Sequence, residues 1–161
     1  MGKFRLEQPV RKATIWMVYR LIYLSSATDA FAMSDLPSIL EAARRNNAAN
    51  AITGFLVYHD RKFLQVLEGP QAGVEACFKR ISQDPRHFQC SIVNAGLEDS
   101  RLFEDWSMAY VPFESAPSGA QEGFLDLDTL LKSDHMSRAA ADPIVSSFLG
   151  AFMSSFRDLP N

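Results

Sequence analysis

Hydrophobic and polar positions along this chain fall into short alternating runs separated by stretches of helical spacing. From Val18 to Ser25, Tyr19, Leu21 and Tyr23 alternate with Arg20, Ile22 and Leu24, which predicts a β-strand. Ser34 and Asp35, with Pro37 in the first turn, make a helix start, and Leu36, Ile39, Leu40 and Ala43 then recur on one stripe. That helix is expected to run out at Asn46-Asn47, because asparagine favours helix ends. Ile52 to Tyr58 and Phe63 to Glu68 read as two strands joined by a polar turn around His59-Asp60. After the break at Gly69-Pro70 a second helix buries Val74, Cys77, Phe78 and Ile81, and Pro85 ends it. Two more strands are expected, near Ser91 to Ala95 and near Trp106 to Val111.

The order β-α-β-β-α-β-β predicts an α+β, ferredoxin-like fold with a mixed five-stranded sheet and two helices on one face. Residues 1–16 mix basic residues with Pro9 and read as an N-terminal arm, and residues 17–111 read as the domain proper. Residues 112–161 comprise a linker, Pro112 through Gly119, and two C-terminal helices. The first helix is signalled by Leu127, Leu130 and Leu131, and the second starts at Asp142-Pro143. The second carries a wide apolar stripe: Val145, Phe148, Leu149, Phe152, Met153 and Phe156. This stripe is expected to cover the sheet face that the first two helices leave bare, with an oligomer or partner interface as the alternative.

Composition narrows the class of function. The 161 residues are 47% hydrophobic and 22% charged, as in an ordinary soluble globular protein. A net charge of −3 argues against electrostatic binding of nucleic acid. No run is apolar and long enough to span a bilayer, and no secretory signal pattern is visible. Cys77 and Cys90 form neither a CxxC motif nor a disulfide scaffold, so a reduced, cytoplasmic protein is expected. His59, His87 and His135 stand in separate segments, which gives no support to a metal site. There is no P-loop, no GxGxxG after a strand and no nucleophile elbow.

The candidate chemistry centres on Gln65, set in the apolar run Phe63-Leu64-Gln65-Val66-Leu67. An amide buried there without partners costs about 1–3 kcal/mol, so the fold is expected to supply them. On the second helix Arg80, Asp84 and His87 follow at i, i+4 and i+7, and share a face if His87 lies just past the helix end. The plain reading is an exposed helical ion pair with a surface histidine, and helix-terminal asparagines with no ligand. Together, however, the amides of Asn46 and Asn47, an arginine, an aspartate and a histidine suit the edge of a planar polar heterocycle. Ile39, Phe63 and Leu67 would form its apolar walls.

These residues resemble a known family. Tyr19-Arg20-Leu21-Ile22-Tyr23-Leu24-Ser25, Arg45-Asn46-Asn47, Ile52-Thr53-Gly54, Phe63-Leu64-Gln65-Val66-Leu67-Glu68-Gly69, Asp84 to His87 and Trp106-x-Met108 resemble a BLUF domain, a blue-light sensor using FAD. They occur in family order, and the joint pattern is specific although each piece alone is weak. The resemblance implies FAD as cofactor, with Tyr23 and Gln65 as the photoactive pair. Arg45, Asn46, Asn47, Arg80, Asp84 and His87 would serve the flavin site, with Ile39 and Phe63 at its apolar wall positions. Trp106 and Met108 match positions that relay the signal. By the same resemblance, light rearranges the hydrogen bonds among Tyr23, Gln65 and the flavin, without enzymatic turnover. No output enzyme is expected within the residues that follow the sensor. Output through a downstream partner protein or a changed homo-oligomer is therefore expected, with no role for nucleic acid or membrane. A ferredoxin-like interaction module without flavin photochemistry is the alternative.

Overall fold

The computed structural model describes residues 17–104, 107–112 and 141–156. Strand β1 (Val18–Ala27) leads through a 3-10 turn (Met33–Asp35) into helix α1 (Leu36–Ala49). A hairpin of β2 (Thr53–His59) and β3 (Lys62–Gly69) follows, then α2 (Gln71–Ser82) and β4 (His87–Glu98). The short β5 (Ala109–Pro112) and helix α3 (Pro143–Ser154) complete the described elements. The strand order is β4-β1-β3-β2-β5. Antiparallel pairing joins β4 to β1, β1 to β3 and β3 to β2, and β5 lies parallel to β2. The antiparallel core with its two helices is the ferredoxin-like α+β arrangement. The expected helix around Leu127 to Leu131, the arm of residues 1–16 and Trp106 all lie outside the described residues.

Strand periodicity divides the core into two layers. On the front, Leu21, Tyr23, Leu56, Phe63 and Leu67 pack against Leu36 and Leu40 of α1 and Val74 and Cys77 of α2. On the back, Ile22, Phe55, Val57, Leu64 and Val66 pack against Val145, Leu149, Phe152 and Met153 of α3, and against Phe103. The apolar stripe of α3 therefore covers the face that α1 and α2 leave bare. Asp142 caps this helix, its carboxylate accepting from the N–H groups of Ile144 and Val145, with Pro143 in the first turn.

Local rules fix the connections. Asp60 and Arg61 both have positive φ, 42° and 62°, the geometry of a two-residue hairpin turn that follows strand twist. Gly54 is required on β2, since a Cβ there would stand 2.1 Å from the Val66 carbonyl oxygen.

Three boundaries differ from the sequence expectation. Helix α1 passes Asn46-Asn47 and ends at Ala49, because Ala51 rather than an asparagine takes the left-handed position, at φ 53°. The Ile52 N–H then reaches back to the Asn47 carbonyl at 2.9 Å and the Ala51 N–H to that of Ala48 at 3.4 Å, a Schellman closure. Strand β4 begins at His87, well before Ser91, and β5 begins at Ala109 rather than Trp106. In β4, register shifts opposite Ile22/Tyr23 and Leu24/Ser26 break the alternation that would have marked its start.

The alanine at a left-handed position is strained relative to glycine by about 1 kcal/mol. Ala51→Gly should raise the thermal midpoint by about 2–4 °C in a calorimetric scan, as expected for a chain of this size.

Candidate functional site

The front layer opens into a cavity of about 260 Å³ between α1, α2 and the sheet. Cross-strand register places Tyr23 of β1 directly opposite Gln65 of β3, and both side chains face this cavity. Tyr23 is only 1% exposed and Gln65 5%. The Tyr23 hydroxyl donates to Gln65 Oε1, and Gln65 Nε2 donates to Met108 Sδ at 3.2 Å. The buried amide thus has a partner at each end, as its desolvation requires. Burial, followed by the nearby Cys90, Cys77 and Asp84, holds the Tyr23 phenol well above its ordinary value of 10.0. It is therefore a neutral donor at physiological pH.

Helix α1 grips the segment that carries Met108. Arg44 Nε donates to the Met108 carbonyl at 2.9 Å, and Asn47 Nδ2 donates to the Ser107 carbonyl at 2.8 Å. Asn47 is buried, and its Oδ1 lies 3.6 Å from the Cys77 thiol. A primary amide has two N–H donors and two acceptor lone pairs, so one of each remains for a ligand.

The cavity mouth is polar. Asp84 and Arg86 form a close ion pair of 2.6 Å, and Arg86 also donates Nε to the carboxylate at 2.9 Å. The Arg86 hydrogen bond holds the Asp84 carboxyl below its ordinary value, and Asp84 in turn raises Arg86. His87 opens β4 opposite Ala27, and its Nδ1 lies 2.9 Å from Ser25 Oγ. Its ring sits 4.7 Å from that of Phe63. Burial lowers the His87 pKa below 6.5, against the opposing pull of Asp84, so the ring is neutral at pH 7.

Of the residues expected from sequence, the cavity brings together Tyr23, Ile39, Asn46, Asn47, Phe63, Gln65, Arg80, Asp84, His87 and Met108. Arg45 is exposed and does not line the cavity; its neighbour Arg44 points to the Met108 segment instead. Leu67 is fully buried in the front core rather than on the cavity wall. His87 enters from the first position of β4, not from an extension of the α2 face. Arg86, Ser25 and Cys77 went unrecognised as site residues. The shared strand face of Tyr23 and Ser25 was a signal for Ser25. Arg86 lay hidden because an Asp-Pro-Arg turn brings i and i+2 together without helical spacing.

The donor set suits a flavin. The pyrimidine edge of an isoalloxazine alternates carbonyl acceptors with an N–H donor, which the amides of Gln65, Asn46 and Asn47 can match. Ile39, Leu40, Ala43 and Phe63 offer apolar surface to the rings, and Arg80 and Arg86 offer cations at the mouth. At about 260 Å³ the cavity lies just below the roughly 300 Å³ at which ligand sites start, so it suits the ring system rather than an entire dinucleotide.

A ferredoxin-like sheet with this pocket suits a flavin-binding module. Residues 18–109 match the family model described as BLUF, sensors of blue-light using FAD, and the chain belongs to that family. Photoactivated adenylate cyclase subunit beta of Euglena gracilis is 32% identical over 123 residues, covering 70% of this chain and 14% of that protein. The blue light- and temperature-regulated antirepressor BluF of Escherichia coli is 35% identical over 72 residues, 45% of this chain and 18% of that one. This chain therefore spans only a small part of these relatives. The dark-state structure of BlrB, a BLUF protein, shares 30% identity at a TM-score of 0.61, over 81% of this chain and 97% of that one. The photo-activated state of BlsA shares 28% identity at a TM-score of 0.60, over 90% and 98%.

The His87 environment sets a pH dependence. Between its lowered folded pKa and the ordinary 6.5, the unfolded chain binds a proton that the folded chain does not. Stability is therefore expected to fall as pH drops from 6.5 through that window. His87→Gln should flatten this limb in denaturant titrations run between about pH 5 and 7.5.

Proposed function

We propose that this chain senses blue light through a two-position amide, Gln65, held between the Tyr23 hydroxyl and the Met108 sulfur. The carrying observation is that both ends of a buried amide are engaged, one by a group that can donate or accept and the other by a weak acceptor. With its ring system in the cavity, FAD would supply blue absorption and, on excitation, oxidising power. Tyr23 holds the proton that can move, and its neutral phenol keeps it available. Rotation or tautomerisation of the Gln65 amide would exchange its partners: the Tyr23 oxygen can accept as readily as donate, while a thioether cannot donate. Only one of the two arrangements therefore uses the Met108 sulfur. Ile39 and Phe63 keep water from competing for the amide.

Asn46, Asn47, Arg80, Asp84, Arg86 and His87 would hold the flavin, and Met108, with Trp106 beside it in sequence, would carry the change toward the fifth strand and the C-terminal region. Output then runs through a downstream partner protein or a changed homo-oligomer, in a cytoplasmic protein that is not itself an enzyme. The absence of any helix long and apolar enough to cross a membrane, among the described residues, is compatible with that setting. Among the same residues no cluster of three metal-ligating side chains occurs.

Gln65→Leu should bind FAD yet lose the reversible red shift of the flavin band after blue light; retention of the shift would falsify the switch. Met108→Leu conserves volume, so it should fold at a cost below about 1.5 kcal/mol and keep the shift. Loss of the sulfur acceptor removes about 1 kcal/mol from the dark arrangement, so dark recovery should slow by up to about five-fold in time-resolved absorption. Colourless protein that takes up no added FAD would favour the flavin-free interaction module.

A further inference from the structure

The two strands that carry the photoactive pair carry a second cross-strand pair. Arg20 on β1 stands directly opposite Glu68 on β3, three residues along from Tyr23 and Gln65 in each strand. Strand alternation turns this second pair to the opposite face, toward α3. Both side chains are almost fully buried, at 3% and 0% exposure.

Arg20 bridges two elements. Its Nε donates to Glu68 Oε1 at 2.7 Å, and its Nη1 donates to Asp142 Oδ2 at 3.0 Å. Asp142 is the cap of α3, and its other oxygen accepts from Ile144 and Val145 at 3.0 and 2.9 Å. Glu98 also approaches Arg20 Nη1 at 3.4 Å, and Nη2 donates to the Ser100 carbonyl at 3.3 Å. Glu68 in turn accepts from the backbone N–H groups of Leu102 and Phe103 at 2.9 and 3.1 Å. Three carboxylates thus converge on one guanidinium, and the surplus negative charge rests on backbone donors and a helix N-terminus.

The connection from β4 to β5 is held at two points. At its far end Met108 takes the Gln65 amide on the front face. At its near end Leu102 and Phe103 take the Glu68 carboxylate on the back face. Phe103 is also fixed in the back core, stacked on Phe55 at 5.6 Å. Glu68 thus holds Arg20 through Oε1 while Oε2 takes the backbone N–H groups of Leu102 and Phe103, so a change on the Met108 side and a change at Arg20 meet in one buried carboxylate. A buried ionic set of this kind has few acceptable arrangements, because each unpaired charge is costly.

Resting on the light-sensing reading above, we propose that Arg20 and Glu68 form an ionic latch that passes the state of the Gln65 site to the capped start of α3. Arg20 is a positioning residue: it never reaches the flavin pocket, and it acts by setting which partner holds Asp142.

The test uses the full chain loaded with FAD and compares hydrogen exchange at residues 144–154 in the dark and under blue light. Asp142→Asn keeps a side-chain oxygen for the cap but removes the charge that faces Arg20. It should retain the red shift and dark protection of α3, and lose the light-minus-dark difference seen in the unaltered protein. The paired exchange Arg20→Gln with Glu68→Gln should do the same without leaving a buried charge unpaired, which guards against one variant failing to fold. A light-minus-dark difference that persists in either folded variant overturns the latch. A red shift in the unaltered protein without any α3 response also overturns it while leaving the sensor intact. Absence of the red shift itself overturns the sensor reading and the latch together.

Discussion

A primary amide in the middle of a β-strand, shielded from water, must have partners on every side that matters. Gln65 meets that demand with Tyr23 on one flank and Met108 on the other. Much of the structure can be traced from this requirement. Tyr23 has to lie on the neighbouring strand in exact register, which the antiparallel β1–β3 pairing provides. Met108 has to be brought back over the front face, which Arg44 and Asn47 of α1 secure through two backbone carbonyls. The cavity beside the amide lies between α1, α2 and the sheet, with apolar walls from Ile39, Ala43 and Phe63 and polar groups at its mouth.

The energy available to such a site is small. Exchanging one or two buried hydrogen bonds shifts a local equilibrium by about 1–3 kcal/mol, roughly one to two decades in population. That suffices to bias a pre-existing alternative but not to unfold a domain. The back face is suited to reading so small a signal. Helix α3 is held by an apolar stripe that tolerates little displacement, and at its cap by the ionic contact of Asp142 with Arg20.

Front-face chemistry was largely legible in the residues. The run Phe63 to Leu67 shows by alternation alone that Gln65 shares a face with Phe63, and β1 shows the same for Tyr23. The cap and stripe of α3 were equally plain, because Asp142-Pro143 and the spacing from Val145 to Phe156 each obey a local rule. What stayed hidden depended on tertiary context. Two adjacent arginines, Arg44 and Arg45, follow the alanine pair Ala42-Ala43 on α1, side chains too small to indicate which arginine reaches the Met108 carbonyl. The start of β4 is masked by its irregular register and by Gln89, which has φ 52° without being glycine. Leu67 satisfies the pattern for a wall, yet the packing of α2 places it in the core. The buried Arg20–Glu68 pair is two charges in apolar strands, and only register reveals that they face each other.

In the proposed switch, the Gln65 amide itself changes state on illumination. The most direct measurement is a light-minus-dark infrared difference spectrum of the FAD-loaded chain grown with carbonyl-labelled glutamine. The account predicts a side-chain amide band that shifts on illumination, moves with the label and vanishes in Gln65→Leu. A difference spectrum insensitive to the label, in protein that still shows the red-shifted flavin band, would contradict it.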